Sequence, residues 1–266
     1  MAELPPSKVS PWPLLALDTA TEQIAAGLQT GHGAFTCTVA GGVAASTRLL
    51  PELKQLLDQA SMGWADLQLI AFGQGPGAFT GLRTACAVAQ GLAFGLRCRL
   101  LPLDSLLIVA EDARLQLSNV DEDAHAGANA GADLDVAVLM DARMDEVYAA
   151  RYRWHAGCWQ VLQAPALYSL PTLHTAWAGV PLQVLAGTAL AAFGPRLALP
   201  SSGQRLMQEH DRAAALLRLA VQVAADDPGV EPAAALPLYL RDKVAQTTVE
   251  REQAKAAAVA AAELAP

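Results

Sequence analysis

An apolar strand that runs into a carboxylate and then turns back on itself occurs twice in this 266-residue chain, and that repetition constrains the fold more than any other feature. Leu14-Leu-Ala-Leu17 ends on Asp18, a short polar turn follows, and residues 24–28 offer the return strand. Far downstream, Val136-Ala-Val-Leu-Met140 ends on Asp141, Ala142-Arg-Met-Asp145 turns, and residues 146–152 return with apolar alternation. Two hairpins with a carboxylate at the tip, one in each half of the chain, point to an internal duplication of an α/β lobe. The alternative is two hairpins alike by chance.

Between the hairpins, residues 51–60 read as a helix with Pro51 in its first turn and Leu53, Leu56, Leu57 and Ala60 on one face. Residues 67–72 form a short apolar strand, followed by the turn Gly73-Gln-Gly-Pro-Gly-Ala-Phe-Thr-Gly81 and a helix reaching about residue 95. Along that helix two rows of small residues recur every four positions: Gly81, Ala85 and Ala89, and then Ala87, Gly91 and Gly95. Such rows leave shallow grooves that admit a second helix closely, either from the same chain or from a partner. Residues 117–133 are acidic, small and aperiodic, the signature of a surface insertion. Further on, a strand is predicted at 182–185, a turn at Ala186-Gly-Thr188 and an amphipathic helix over 206–225. The last stretch, 250–266, is Ala-rich and reads as a frayed helix or a plain tail.

Composition removes several function classes. Hydrophobic residues make up 53% of the chain and charged ones 17%, yet the charge-free stretch 154–195 is interrupted by Pro165, Pro171 and Pro181. It therefore falls below the ~18 uninterrupted apolar residues of a membrane span, and a buried sheet with its helices accounts for the apolar content. The proline-rich residues 1–13 have no basic segment leading into an apolar block, so they read as a tail and not a signal peptide, and a cytoplasmic location is expected. Cys37, Cys86, Cys98 and Cys158 form no Cys-x-x-Cys pair and are expected to be buried, inert thiols. The net charge is −8, with no cluster of Lys and Arg. A protein gripping nucleic acid through phosphates needs a basic face, so direct nucleic-acid binding is not expected. The acidity favours a partner with a basic surface, or simply keeps the chain soluble.

The glycine turn before a helix offers backbone N–H groups to an anion. There is no Gly-Lys-Ser/Thr, however, and the relaxed Gly-x-Gly-x-x-Ala of Gly73, Gly75 and Ala78 lacks the acid about 20 residues on that holds a ribose. A tight strand-to-helix turn is the competing reading. Asp18 at a strand end could hold a hard cation through its carboxylate or cap its own turn. His32, His125, His155, His174 and His210 have no His-x-x-x-His spacing, and no nucleophile elbow is present. No catalytic or metal-ligating residue, and no cofactor, is expected.

Leu17-Asp-Thr-Ala-Thr21, Gly75-Pro-Gly-Ala-Phe-Thr-Gly-Leu-Arg83, Ala89-Gln-Gly-Leu-Ala93, Met140-Asp-Ala-Arg-Met144 with Glu146-Val-Tyr148, and Pro237-Leu-Tyr-Leu-Arg241 together resemble the bacterial TsaB (YeaZ) family. The resemblance implies an actin-like/sugar-kinase-like α/β fold of two duplicated lobes, 14–104 and 105–249, between tails 1–13 and 250–266. It implies a non-catalytic partner of a TsaD-like catalytic subunit, which with a TsaE-like ATPase transfers a threonylcarbamoyl group from its adenylate to the adenosine beside the anticodon of tRNAs reading codons that begin with A. The catalytic relatives carry His-x-x-x-His where this chain has Ser105 and Val109. Asp18, Gly75 and Gly77 then stand as vestigial phosphate-site positions. The first lobe's helices become the partner surface, also usable for self-association, through Leu53, Leu56, Leu57, Gly81, Arg83, Ala85 and Ala89. On that expectation Leu53→Asp or Ala85→Trp weakens partner binding and leaves the lobes folded. The alternative is an actin-fold ATPase or small-molecule kinase working through Asp18 and the glycine turn.

Overall fold

The computed structural model describes residues 13–122, 133–199 and 203–241. At its centre is β1 (Leu14–Asp18), whose five residues are all buried. A strand without polar alternation needs cover on both faces, and β1 has it. It pairs antiparallel with β2 (Gln23–Thr30), which pairs antiparallel with β3 (Gly33–Ala40). On its other side lie β4 (Leu69–Gly75) and β5 (Arg99–Asp104), both parallel, giving the order β3-β2-β1-β4-β5.

The second sheet repeats this plan strand for strand. β6 (Leu134–Asp141), β7 (Glu146–His155) and β8 (Cys158–Ser169) form the antiparallel meander. β9 (Val184–Ala186) and β10 (Gln204–Leu206) add parallel on the far side of β6, giving β10-β9-β6-β7-β8. The two hairpins are thus equivalent corners of two mixed sheets flanked by helices, the duplicated α/β architecture that their pattern predicts.

Helices α1 (Ala45–Gln59) and α2 (Phe79–Leu96) cover one face of the first sheet, where Leu15, Leu17, Ile24 and Leu28 meet Leu49, Leu53, Leu56 and Leu57. Pro51 lies inside α1 and not in its first turn, because the helix begins at Ala45. An interior proline costs about 3 kcal/mol, whereas the four buried leucines contribute about 1.5–3 kcal/mol each. The helix therefore runs through it. Helix α3 (Ser105–Glu122) presents Ile108 to the first sheet and Val109, Ala110 and Ala113 to the second, so the expected boundary at 104/105 falls at the start of a bridging helix. α4 (Leu170–Ala176) and α5 (Ala189–Phe193) cover the outer face of the second sheet with Leu173, Trp177, Leu190 and Phe193.

Helix α6 (Arg212–Ala224) starts six residues later than expected. Residues 204–206 are drawn into β10, and the Asp211 carboxylate accepts the Ala214 N–H at 3.0 Å to cap the helix. It also belongs to the opposite lobe from the one predicted, since Leu216, Leu217 and Ala220 pack under β1 and β2. Of the expected insertion, 117–122 continue α3, while 123–132 lie outside the described residues, as do 1–12 and the Ala-rich 250–266. Among the described residues no helix is long and apolar enough to cross a membrane.

Candidate functional site

The two carboxylate-tipped hairpins face each other across an interlobe cleft of about 840 Å³. Ala20, Gly77 and Phe79 line it from the first lobe, Met140, Arg143 and Thr188 from the second, and Ser105 and Arg212 at its base. Neither Asp18 nor Gly75 lines it.

Asp18 is fully buried, and Arg212 is 2% exposed directly over it. The Arg212 Nε–H donates to Asp18 Oδ1 at 3.0 Å, the Ala20 N–H to the same oxygen at 3.1 Å, and the Ser105 hydroxyl to Oδ2 at 3.0 Å. Arg212 also donates to Glu209 at 2.5 Å. Burial by itself would depress the guanidinium pKa, but the charges of Asp18 and Glu209 outweigh it and hold Arg212 above its ordinary value. The expected role of Asp18 as a cation or phosphate position is therefore corrected: an internal cation occupies its carboxylate. Ser105 accepts the Gly75 N–H at 3.1 Å, so the glycine amide expected to face an anion is bonded internally too. Gly77 reaches the cleft but packs on the first hairpin, where a Cβ would stand 2.6 Å from the Ala20 carbonyl. Ser105 and Val109, set against the ligand histidines of catalytic relatives, are both buried. Among the described residues no three His, Cys, Asp or Glu side chains converge.

The remaining charges of the cleft are paired as well. Arg143 meets Asp141 at 3.4 Å and reaches Glu22 across the cleft at 3.9 Å, while Arg241 meets Glu146 at 2.5 Å. The exposed Arg143 pairs contribute little. Arg241, 15% exposed, is better sheltered.

A second polar link joins the lobes beside the cleft, where Tyr152 of β7 donates its hydroxyl to Asp104 of β5 at 2.5 Å. Burial pushes the Asp104 carboxyl up against the opposing effect of Tyr152 and the Leu106 and Leu107 N–H groups. Burial, reinforced by Asp104, pushes Tyr152 far above the ordinary tyrosine value. A tyrosine that keeps its proton in the folded chain while ionising near pH 10 in the unfolded chain makes stability fall as pH rises past about 10. Likewise the contribution of Asp104 is full below the unfolded carboxyl pKa and is lost as pH rises through its raised folded value. Tyr152→Phe is expected to cost about 1–3 kcal/mol at neutral pH, because Asp104 Oδ2 loses its donor, and to flatten part of the alkaline decline. Urea unfolding from about pH 8 to about pH 11 reads both effects; an alkaline limb identical to that of the parent would show that Tyr152 titrates normally.

The partner surface needs a second correction. Leu53, Leu56, Leu57, Ala85 and Ala89 are at most 1% exposed, and Gly81 is buried, so these side chains are the core of the first lobe and offer nothing to a partner. Leu53→Asp or Ala85→Trp would disrupt that core and leave no folded lobe to assay. The two small-residue rows of α2 have opposite fates. Gly81, Ala85 and Ala89 press against the sheet, whereas Ala87, Gly91 and Gly95 face solvent beside Phe94, which is 82% exposed. Arg83, also exposed, stacks 3.9 Å over Phe79 and donates to the Tyr239 hydroxyl at 3.1 Å. Gln90, conspicuous in the sequence block, donates to the carbonyls of Pro232 and Ala235 and so holds the C-terminal segment along α2.

The thiols are also less uniform than expected. Cys86 and Cys98 are buried and burial raises their pKa, but Cys37 is only partly covered and Cys158 is exposed at the start of β8. Sequence reasoning missed Arg212, Ser105 and Arg241 as site residues. The first lies 194 positions from its partner, and only the Pro237 to Arg241 block carried any signal for the last.

The family model described as TsaD: tRNA N6-adenosine threonylcarbamoyltransferase matches residues 40–208, well over half of the chain. The tRNA threonylcarbamoyladenosine biosynthesis protein TsaB of Escherichia coli K12 is 29% identical over 240 residues, 87% of this chain and 96% of that protein. The protein of the same name from Haemophilus influenzae is 34% identical over 135 residues, about half of each chain (51%). Among solved structures, an uncharacterized Pseudomonas aeruginosa protein with similarity to peptidase YEAZ superposes with a TM-score of 0.73 at 34% identity, covering 86% of this chain and 100% of that one. A second, YeaZ from Pseudomonas aeruginosa, gives 0.72 at 33% with the same coverage.

Proposed function

We propose that this chain, which belongs to the TsaB (YeaZ) family, is an accessory subunit in tRNA threonylcarbamoyladenosine biosynthesis. It activates a TsaD-like catalytic subunit, with a TsaE-like ATPase, in moving a threonylcarbamoyl group from threonylcarbamoyl-AMP to the N6 amine of the adenosine 3′ of the anticodon. The tRNA meets it only through the complex, in the cytoplasm, and the chain supplies no catalytic residue.

The observation that carries this reading is the sealed hairpin tip. A working actin-type phosphotransfer site needs a carboxylate open to a ligand, and here Asp18 lies under Arg212 with both oxygens engaged. Supplying a new cation there would first require breaking a buried ion pair, which costs several kcal/mol. The same observation counts against the ATPase or kinase alternative. Support for a docking role comes from the outward face of α2, where Phe94 is exposed beside the open row Ala87, Gly91 and Gly95, with Leu50 exposed on α1 as well. Small residues flanking an exposed aromatic suit close helix contact with a TsaD-like subunit or with a second copy.

Threonylcarbamoyl transfer by the cognate TsaD and TsaE, with and without this chain, tests the reading. Activity is expected only when the chain is present, and none from the chain alone. Equal rates without it would end the assignment, and magnesium-dependent ATP turnover by the isolated chain would favour the alternative. Phe94→Asp is expected to weaken TsaD binding by about tenfold or more, about 1.4 kcal/mol, with the unfolding free energy changed by no more than about 0.5 kcal/mol. Unchanged affinity would remove this face from the interface.

A further inference from the structure

The C-terminal described segment touches both lobes. After α6 it runs on along the first, where Val230 and Leu100 exchange backbone hydrogen bonds of 2.7 and 2.9 Å and the Leu238 N–H donates to the Gln74 carbonyl at 2.7 Å. Tyr239 then lays its ring 5.2 Å from that of Phe79, and its hydroxyl accepts from Arg83 Nε. Two residues later the contacts change lobe. The Arg241 guanidinium donates through Nη2 to the Ala142 carbonyl at 3.0 Å, the Arg143 carbonyl at 3.3 Å and Glu146 at 2.5 Å.

The hairpin tip held by Arg241 is conformationally costly. Arg143, Met144 and Asp145 are three consecutive non-glycine residues with φ of +63°, +57° and +57°, a left-handed run that side chains of this kind do not adopt without outside support. Arg241 supplies that support from outside the hairpin, because its Nη2 is shared among the Ala142 and Arg143 carbonyls and the Glu146 carboxylate while its Nη1 lies 3.3 Å from Met144 Sδ.

We propose that residues 236–241 form an interlobe latch in which Arg241 pins the left-handed tip of the second hairpin, coupling it to the first turn of α2 through Tyr239, Phe79 and Arg83. The latch sets the position of the second wall of the cleft. Because the coupling runs through one short strap, it is reciprocal: loosening either anchor loosens the other.

Amide hydrogen exchange on the isolated full chain tests this without any partner, so its failure leaves the accessory role standing. The Glu146 N–H, which donates to the Arg143 carbonyl at 3.1 Å, reports the tip, and the Leu238 N–H reports the first-lobe anchor. Tyr239→Ala, whose hydrogen bond and ring contact are both with the first lobe, is expected to speed exchange at Glu146 by about tenfold or more. Arg241→Met is expected to do the same at Leu238, while β1 and β6 amides keep their parent rates. Arg241→Lys keeps the charge toward Glu146 and loses the guanidinium and its Nη1 contact with Met144, so an intermediate acceleration is expected; it serves in place of Arg241→Met should that variant not fold. Exchange at Glu146 unchanged in Tyr239→Ala would overturn the latch, as would equal acceleration of the β1 and β6 amides, which would mean general loosening of the fold.

Discussion

Arg212→Met is expected to remove about 3–5 kcal/mol of stability, because it leaves the Asp18 carboxylate buried without its counter-charge. For a chain of this size that is a fall in the thermal midpoint on the order of 10 °C. The Met side chain fills most of the same volume, so the loss reports charge and not packing. Asp18→Asn should cost less, since Arg212 keeps Glu209 at 2.5 Å and the amide oxygen can still accept from Arg212 Nε and the Ala20 N–H while its NH2 donates to the Ser105 hydroxyl. The double variant Asp18→Leu/Arg212→Met should recover much of the loss, as replacing both members of a buried pair by apolar groups often does. Thermal and urea unfolding of the four proteins decides the matter. A loss below about 1 kcal/mol for Arg212→Met would place Asp18 within reach of solvent, and the carboxylate would again be open to a cation.

The second large effect belongs to the glycine turn. A Cβ on Gly81 would stand 1.8 Å from the Thr19 carbonyl oxygen, a backbone atom that cannot rotate away, and Thr19 Oγ1 donates to the Gly81 carbonyl at 2.7 Å in the same contact. Gly81→Ala must therefore push α2 off the first hairpin, and a loss of about 3 kcal/mol or more is expected. Gly91, nearly three turns along the same helix, meets nothing within 4 Å. There alanine should stabilise by about 0.5–1 kcal/mol through helix propensity alone. Urea midpoints for the two variants should move in opposite directions. A loss at Gly91 as large as that at Gly81 would mean that the outer row of α2 is covered in the isolated chain, as in a homodimer.

These two results bear on one physical point. The glycines that look like a phosphate cradle are required for close approach between two backbones, and the carboxylate that looks like a metal ligand is required for a buried ion pair. The strand-end carboxylate and the strand-to-helix glycine turn sit together with their contacts turned inward. The accessory role proposed for the chain is consistent with a site whose groups are spent on holding the first lobe together.

The duplication, the two hairpins, the glycine turn and the leucine face of α1 were legible in the sequence because each is a local pattern: a period of two, a carboxylate at a turn, or a stripe at helical spacing. β3, β5, β8 and α3 were not singled out. β3 is exposed at every second residue and only half-buried at the others, and α3 serves both sheets, so its apolar residues do not line up as one stripe. Local pattern also could not say which small-residue row of α2 was inward, since Gly81-Ala85-Ala89 and Ala87-Gly91-Gly95 are equivalent as spacing. Only the docking of α2 on its sheet distinguished them. The same holds for the site. A strand ending on Asp18 was visible from the chain alone, but its chemistry depends on a guanidinium 194 residues away, brought over it when α6 packs beneath β1 and β2. Short-range pattern determined which elements this chain makes and that it makes them twice. Tertiary packing decided which side chains are buried and which charges meet, because burial and pairing are properties of two surfaces and the sequence displays them one at a time.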